Sequence, residues 1–291
     1  MGRAQPSLPA AAREALLAWY VPRARAYPWR RGRPSAYRTL VSELMLQQTQ
    51  ASRVVPAYTR FLRSFPNVRA LAEASRADVL RAWAGLGYNR RAVSLHRAAQ
   101  AVMTDHGGRV PTDPAALRSL PGVGPYTAAA VASIAGGVPV AAVDVNARRI
   151  VARVAFGCDV PEIPVRDIDA AAARWVDRAD PGAWNQAVMD VGREHCRAAP
   201  RCEGCPMARA CRYLRAGRVP EPAARRQAPF EGSMRQVRGG VVDVLRDRPS
   251  AGLATLARTT GFDVDRIATA LEGLERDGVV VRIGRSFRLP D

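Results

Sequence analysis

The stretch SLPGVGPYTAAA, residues 119–130, does most to define the fold. Its glycines, Gly122 and Gly124, stand two residues apart between two helical stretches, where they permit positive φ values and the close approach of another backbone. The free N–H groups at the start of the following helix favour an anion, and a DNA phosphate fits there. The pattern therefore predicts a helix–hairpin–helix; an ordinary turn between two helices is the alternative.

The charge of the chain points to the same kind of partner. Its net charge is +18 and its pI is near 11.2, which favours a polyanion such as nucleic acid over a basic surface that merely contacts solvent. All 44 basic residues are arginine, and the guanidinium group suits bidentate phosphate contacts. Because there is no lysine, chemistry through a Schiff base on a side chain is excluded.

Composition also sets expectations about location. The chain has 291 residues, of which 48% are hydrophobic and 24% charged, as in a soluble globular protein. No apolar run approaches the roughly 18 residues of a membrane span. Arg13 and Glu14 interrupt the first apolar stretch, so no signal peptide is predicted. We expect a cytoplasmic, nucleoid-associated monomer without a membrane partner.

Helical periodicity dominates and predicts a mainly α protein. One helix is expected from Pro9 to about Val21, and a second, around Glu43, is expected to end near Val55–Pro56. Further helices are predicted at 57–64, 67–74, 76–84, 89–105, 146–156, 166–177 and 181–196, besides the two helices of the hairpin.

The composition changes after Cys211. Residues 215–233 are rich in Pro, Ala and Arg and are predicted to form a linker. Residues 234–291 then show three helical stretches followed by two strand-like runs, VVVRIG and SFRLP. This order resembles a small winged-helix-like module.

Four of the five cysteines form a cluster with the spacing C-x5-C-x2-C-x5-C: Cys196, Cys202, Cys205 and Cys211. In a cytosolic chain this pattern indicates a metal site rather than disulfides. Four thiolates suit either a [4Fe–4S] cluster or zinc. Cys158 is expected to be a packed apolar residue, and His195 a neighbour of the site rather than a ligand.

Two carboxylates stand in contrasting sequence contexts. Glu43 lies in RTLVSELMLQQTQ, residues 38–50, in a helix that is apolar on nearly every side. Since burying an ionised carboxylate is costly, Glu43 is expected to keep its proton. Asp144 lies where a helix begins; its simplest role is an N-cap, and the helix dipole should hold it ionised. Such a pair suits cleavage of a glycosidic bond through an oxocarbenium-like transition state.

Five motifs in order make a resemblance specific. They are SELMLQQTQ, GLGYNRRAVSLH at 85–96, LPGVGPYTAAA, VDVNARR and WNQAVMDVG at 184–192. With the four-cysteine loop they resemble the endonuclease III superfamily of DNA glycosylases and, within it, the adenine DNA glycosylase (MutY) family. The match covers about residues 27–211.

The resemblance implies a two-domain helix–hairpin–helix DNA glycosylase fold, a [4Fe–4S] cluster on the four cysteines, and double-stranded DNA with a mismatched or oxidised base pair as partner. The six-helix barrel would span 30–141 and contain the hairpin. The iron–sulfur domain would span 142–214, with an N-terminal helix within 1–29 packed on it.

Catalytic roles follow from the resemblance alone. Glu43 would protonate the flipped adenine, and Asp144 would stabilise the sugar cation and help to position water. Asn146 would orient the catalytic groups. Tyr126 stands where lyase-competent relatives carry their Schiff-base lysine, which implies a monofunctional enzyme.

DNA-binding roles follow in the same way. Gln48 and Tyr88 would wedge into the base stack beside the orphan base. Leu46 would contact DNA near them, Trp29 and Arg30 would line the adenine pocket, and Gly122 and Gly124 would meet the phosphates. Simpler readings stand beside these: Gln48 as an exposed helix end, Tyr88 packed on Trp83, and Trp29 as a core residue.

The sequence departs from the family in two places. The first cysteine interval has five residues where the family has six, and residues 234–291 stand where the family carries a larger, Nudix-like domain that reads 8-oxoguanine. Two other functions stay open: a thymine or uracil mismatch glycosylase, and a non-catalytic iron–sulfur DNA-binding regulator. LQQTQ favours adenine, and the presence of Glu43, Tyr126 and Asp144 together argues for catalysis.

Overall fold

The computed structural model describes residues 6–24, 27–32, 35–218 and 229–291. It divides into two compact units: one of residues 1–40, 111–119 and 123–224, and one of residues 41–110, 120–122 and 225–291. We call them the Asp144 unit and the Glu43 unit after the carboxylate each contains. Most of the predicted linker, 219–228, lies outside the described residues.

The Asp144 unit is helical. Its elements are α1 (Ala10–Tyr20), a short 3-10 turn (Pro28–Arg30), α7 (Pro114–Arg118), α8 (Pro125–Gly136), α9 (Val145–Val151), α10 (Val165–Trp175), α11 (Pro181–Glu194) and α12 (Arg212–Arg215). The apolar faces of α1, α9, α10 and α11 form one core, which contains Leu16, Ile150, Ile168, Trp175 and Trp184. A single π-helical turn, Ala152–Phe156, continues α9.

The predicted hairpin is confirmed as α7, a turn and α8. Asp113 caps α7 by accepting a hydrogen bond from the N–H of Ala116, and Gly124 is the N-cap residue of α8. Gly122 has φ of +78°, and a Cβ there would lie 2.5 Å from Cβ of Ser94. Glycine is therefore required at 122 for both its backbone angle and its close contact with the neighbouring helix.

The boundary between the two units falls inside α2 (Ala36–Leu46), and its residues from Val41 onward belong to the Glu43 unit. The other helices of this part of the unit are α3 (Ala51–Ser64), α4 (Val68–Glu73), α5 (Arg76–Ala82) and α6 (Arg90–Asp105). Trp83 is fully buried and meets Phe61 edge to face, with ring centroids 5.9 Å apart. Val54, Leu71, Leu80 and Leu95 are buried as well.

The same unit includes the C-terminal module, residues 234–291. Its helices are α13 (Met234–Asp247), α14 (Leu253–Thr260) and α15 (Val264–Arg276), and its strands are β1 (Ala251–Gly252), β2 (Val281–Ile283) and β3 (Ser286–Arg288). The strands pair antiparallel in the order β1-β3-β2. The three helices and the hairpin were predicted; β1 was missed because two residues carry no periodicity.

One helix boundary was predicted wrongly. The helix of Glu43 ends at Leu46 instead of near Val55–Pro56. A separate helix, α3, begins at Ala51 and continues past Pro56 to Ser64. Gln48 adopts φ of +54°, which breaks the helix earlier than expected. Pro56 is tolerated inside α3 because it is exposed, so solvent can satisfy the carbonyl one turn earlier. Among the residues described, none of the helices combines the length and apolar composition that crossing a bilayer requires.

Candidate active site

Glu43 lies on α2 and is buried, with 7% of its surface exposed. Its neighbours along the helix, Val41, Leu44 and Met45, are also buried. The structure therefore confirms that Glu43 is buried, on a helix that also buries the polar side chains of Thr39 and Ser42. A carboxyl group in such a place favours its protonated form unless a partner compensates for the lost water.

Gln48 and Tyr88 have an unusual backbone. Among the described residues they are the two non-glycine residues with positive φ, +54° for Gln48 and +46° for Tyr88. This conformation costs about 1 kcal/mol or more in a residue with a Cβ, and the surrounding structure must hold it in place. Both side chains are exposed, Tyr88 to 40%. Tyr88 is therefore not a core residue, and the guanidinium of Arg91 lies 5.4 Å from the centroids of both its ring and that of Trp83.

Arg91 links the two strained turns. Its guanidinium donates to the carbonyls of Leu44 and Met45, in the last turn of α2, at 2.8 and 2.9 Å. It also donates to the carbonyl of Gln47, the residue after that helix. It also donates to the carbonyls of Leu86 and Gly87, both at 3.2 Å, in the turn before Tyr88. Burial lowers the pKa of Arg91 to about 10.

Asp144 has the opposite surroundings to Glu43. It is the N-cap of α9, and its Oδ1 accepts from the N–H groups of Asn146 and Ala147 at 3.0 and 2.7 Å. Its Oδ2 accepts from Nδ2 of Asn146 at 2.8 Å. Three hydrogen-bond donors at the start of the helix fix this carboxylate in place. The N-cap prediction is confirmed.

A chain of hydrogen bonds runs from Asp144 to the cysteine loop. Oδ1 of Asn146 accepts from Arg149 at 2.7 Å, and Nε of Arg149 donates to the carbonyl of Cys196 at 2.8 Å. Gly192 makes room for Asn146, because a Cβ at 192 would lie 2.8 Å from Cβ of Asn146. The glycine of WNQAVMDVG therefore allows α11 to approach α9.

The remaining predicted residues of the Asp144 unit are also engaged. The hydroxyl of Tyr126 meets Sδ of Met189 at 3.4 Å. The ring of Trp29 stacks on Tyr27, with centroids 4.8 Å apart, so it is half-buried rather than in the core. Arg30 donates to both carboxylate oxygens of the buried Asp190, at 3.0 and 3.2 Å. Burial opposes the charge of Arg30, but these bonds leave its pKa above the ordinary value.

The four clustered cysteines line a single cavity of about 410 Å³, counting the part open to solvent. Its other walls are largely apolar and include Ile150, Val191 and Met207. Among the described residues, no three His, Cys, Asp or Glu side chains are grouped closely enough to hold one metal ion. The four thiols that share this cavity are the donor type that iron–sulfur clusters take. Burial raises the pKa of the thiol of Cys205 to about 11.

Arg153 supports the shortened interval between Cys196 and Cys202. It is 3% exposed, and its guanidinium donates to the carbonyls of Arg197 and Ala198 at 2.6 and 3.1 Å. It also lies 3.9 Å from Sγ of Cys196. Burial raises the pKa of the Cys196 thiol, and the positive charge of Arg153, which is paired with Asp159, acts in the opposite direction. Cys158, by contrast, is buried as the predicted apolar residue.

Sequence reasoning missed Arg91, Arg149, Arg153 and Asp190. Three of them bind backbone carbonyls about 40 or more residues away, and such targets leave no pattern in the sequence. The available signal was the arginine pairs inside two quoted motifs, GLGYNRRAVSLH and VDVNARR.

Similarity to known proteins indicates the class of this protein. Residues 41–176 match the HhH-GPD superfamily of base excision DNA repair proteins. Among solved structures, a thermostable thymine-DNA glycosylase superimposes with a TM-score of 0.64 at 30% identity, covering 70% of this chain and 95% of that one.

Two similar proteins are both adenine DNA glycosylases. An adenine DNA glycosylase of Mycolicibacterium smegmatis is 43% identical over 233 residues, which is 80% of this chain and 79% of that protein. An adenine DNA glycosylase of Mycobacterium tuberculosis is 42% identical over 288 residues, 94% of this chain and 92% of that protein. The chain therefore belongs to the adenine DNA glycosylase family.

Proposed function

We propose that this chain is a monofunctional DNA glycosylase of base excision repair. It flips adenine mispaired with 8-oxoguanine or G out of duplex DNA and hydrolyses its N-glycosidic bond. The observation that carries the proposal is the contrast between two carboxyl groups, Glu43 buried on α2 and Asp144 held by three donors at the start of α9.

Glu43 acts as the general acid. Its burial on α2 favours the protonated form, so the proton is available when adenine arrives. Transfer of that proton to adenine lets the base leave with the electron pair of the glycosidic bond. Water then adds to C1′ of the sugar and gives up a proton, which returns Glu43 to its starting state.

Asp144 stabilises the cation that forms on the sugar. At roughly 4 Å and an effective dielectric near 20, a fixed carboxylate attracts a unit positive charge by about 4 kcal/mol. That energy corresponds to about a thousandfold in rate. Asn146 keeps the carboxylate oriented through its 2.8 Å hydrogen bond, and Asp144 also helps to position the water.

Gln48 and Tyr88 enter the base stack when adenine leaves it. Their strained turns present both side chains outward, and this covers part of the cost of flipping, about a few kcal/mol. Leu46, which is half-buried at the end of α2, supports the same surface. Gly122 and Gly124 place the hairpin against DNA phosphates, and Trp29 and Arg30 line the adenine pocket.

Tyr126 makes the enzyme monofunctional. It stands at the position of the lysine that lyase-competent relatives use, and the chain has no lysine elsewhere. Without a lysine amine no Schiff base between a side chain and the sugar can form, so strand cleavage through β-elimination by that route is not expected. The product is an abasic site in intact DNA.

Cys196, Cys202, Cys205 and Cys211 are proposed to hold a [4Fe–4S] cluster. When bound, such a cluster supplies a rigid, charged centre to the fold of the loop around it. The cavity shared by the four thiols and the buried Arg153 beside it support this assignment. A yellow-brown protein with broad visible absorption and about four irons per chain is expected; a colourless zinc protein would contradict it.

The test of the function is single-turnover base release from matched duplexes. They contain A:8-oxoguanine, A:G, T:G or U:G at one position, and each product is analysed with and without alkali. We expect release of adenine alone, with strand breaks only after alkali. Release of T or U would instead establish a mismatch glycosylase, and no release from any duplex would leave a DNA-binding iron–sulfur protein.

A further inference from the structure

The net charge of the C-terminal module, residues 234–291, does not indicate a role in binding DNA phosphates. The module contains ten arginines and eight acidic residues, so it contributes only +2 of the net +18. A surface that reads DNA by phosphate contacts would carry a larger share of the positive charge. Its contacts within the Glu43 unit are more informative.

Arg246, near the end of α13, reaches out of the module to two places. Its Nε donates to the carbonyl of Leu80 at 3.0 Å, which is one of the free carbonyls in the last turn of α5. Its Nη2 donates to Oδ1 of Asn89 at 2.9 Å. Arg81 returns a hydrogen bond to the carbonyl of Arg246 at 3.4 Å.

These contacts hold both ends of one loop. Residues 83–89 connect α5 to α6, and Tyr88 is its strained residue. Leu80 lies in the last turn of α5, three residues before the loop, and Asn89 is the last residue of the loop. Asn89 is the N-cap residue of α6, yet its side chain makes no capping hydrogen bond and is directed to Arg246 instead.

The environment of Arg246 makes the contact specific. Its side chain is only 10% exposed, so it is not placed to bind a DNA phosphate. Burial lowers its pKa, whereas the pair with Asp243 acts in the opposite direction. A guanidinium that has lost its water and binds a carbonyl and an amide oxygen restrains both groups.

We propose that the C-terminal module of this chain acts as a brace for the Tyr88 loop, and that Arg246 is the positioning residue through which it acts. The module thus contributes to the recognition of the mismatch by keeping the wedge in its strained conformation. This inference rests on the proposed function, since it takes Tyr88 to be the wedge.

The first test measures the loop in the free protein and does not depend on catalysis. Hydrogen exchange is followed in residues 83–89 for wild type, Arg246→Gln and the control Arg248→Gln, which removes an exposed arginine two residues away. We expect about tenfold faster exchange in Arg246→Gln only, as befits the loss of a charged hydrogen bond. Exchange in α13 should stay unchanged.

The second test asks whether the effect passes through Tyr88. As a single substitution, Arg246→Gln is expected to slow single-turnover adenine release about tenfold relative to wild type. Added to Tyr88→Ala, it should cause no further slowing. Asn89→Ala, which breaks the same contact from the other side, should behave likewise. The salt dependence of DNA binding should not change.

Several results would overturn the brace. Unchanged exchange in 83–89, or equal slowing in the wild-type and Tyr88→Ala backgrounds, would each do so. If Arg246→Gln loosens α13 itself, Asn89→Ala decides, because it leaves the module intact. Failure of wild type to release adenine would refute the proposed function, while the exchange test would still judge the brace.

Discussion

Glu43 and Asp144 carry the same functional group in opposite surroundings. Glu43 is buried on α2, whereas Asp144 begins a helix and accepts three hydrogen bonds from Asn146 and Ala147. The first environment suits a neutral acid and the second a fixed anion. In the reaction proposed here, local structure rather than residue type would give the two carboxyl groups their different roles.

The largest expected effect comes from Glu43→Gln, which keeps the shape of the side chain and removes the proton. Adenine release should fall by about 10⁴-fold, at the upper end for a general acid. The thermal midpoint should change little, because no ionised group is lost from the surface. Single-turnover kinetics and thermal unfolding measure the two quantities.

The control for that substitution is Glu14→Gln, the same change at an exposed position of α1. Its rate should match wild type. Adenine release by Glu43→Gln within tenfold of the wild-type rate would remove Glu43 from the chemistry and end the comparison.

Asp144→Asn should have the next largest effect, about 10³-fold, because it removes the charge while an amide can still cap α9. Asp180→Asn is the matched control, since Asp180 caps α11 by accepting from the N–H of Ala183 at 2.8 Å. Both variants should melt near the wild-type midpoint, and only the first should lose activity. Equal rates in the two would show that the charge of Asp144 is not used.

Arg149→Gln should loosen the carboxylate of Asp144 and leave Glu43 unchanged, so it tests the contrast between the two from one side. It breaks the link from the carbonyl of Cys196 to Asn146, so adenine release should fall about 10- to 100-fold. Arg148→Gln is the control: Arg148 pairs with the partly exposed Asp169 and should matter little. Similar kinetics for both variants would contradict a route from the cysteine loop to Asp144.

The smallest effect is on stability and concerns the Glu43 unit. Burial, assisted by the nearby Arg76, lowers the pKa of His96 below 6.5. Below about pH 6.5 the unfolded chain therefore binds a proton at His96 that the folded chain does not bind. The free energy of unfolding falls as the pH drops through this range, by at most about 1.4 kcal/mol per pH unit. Denaturant unfolding at pH 7.0 and 5.5 should show this loss in wild type and not in His96→Gln.

This pH dependence separates folding from chemistry. Base release measured below pH 6.5 includes a loss of folded protein that is unrelated to Glu43. His96→Gln should retain its rate further into the acid range if the protein unfolds there. An identical fall in stability for the two proteins would show that another group is responsible.

Sequence patterns predicted what depends on neighbouring residues. The helices, the hairpin at Gly122 and Gly124, and the cap at Asp144 follow from periodicity, glycine and helix-start residues, and the structure confirms them. The burial of Glu43 followed in the same way from the apolar residues around it.

What the sequence did not predict depends on distant partners. Arg91 contacts carbonyls more than 40 residues earlier, and Arg246 reaches a carbonyl 166 residues away. Any residue offers a backbone carbonyl, so no residue type marks the target. The early end of α2 has the same origin, because Arg91 satisfies the carbonyls that a longer helix would have used.

The division of roles between Glu43 and Asp144 is tested most directly with a base that already carries positive charge. A duplex with 7-methylguanine in place of adenine has a leaving group that needs no proton. Single-turnover release should then be nearly equal for wild type and Glu43→Gln, while Asp144→Asn should keep its penalty of about a thousandfold. Equal penalties of Glu43→Gln on the neutral and the cationic base would contradict the role of Glu43 as the acid.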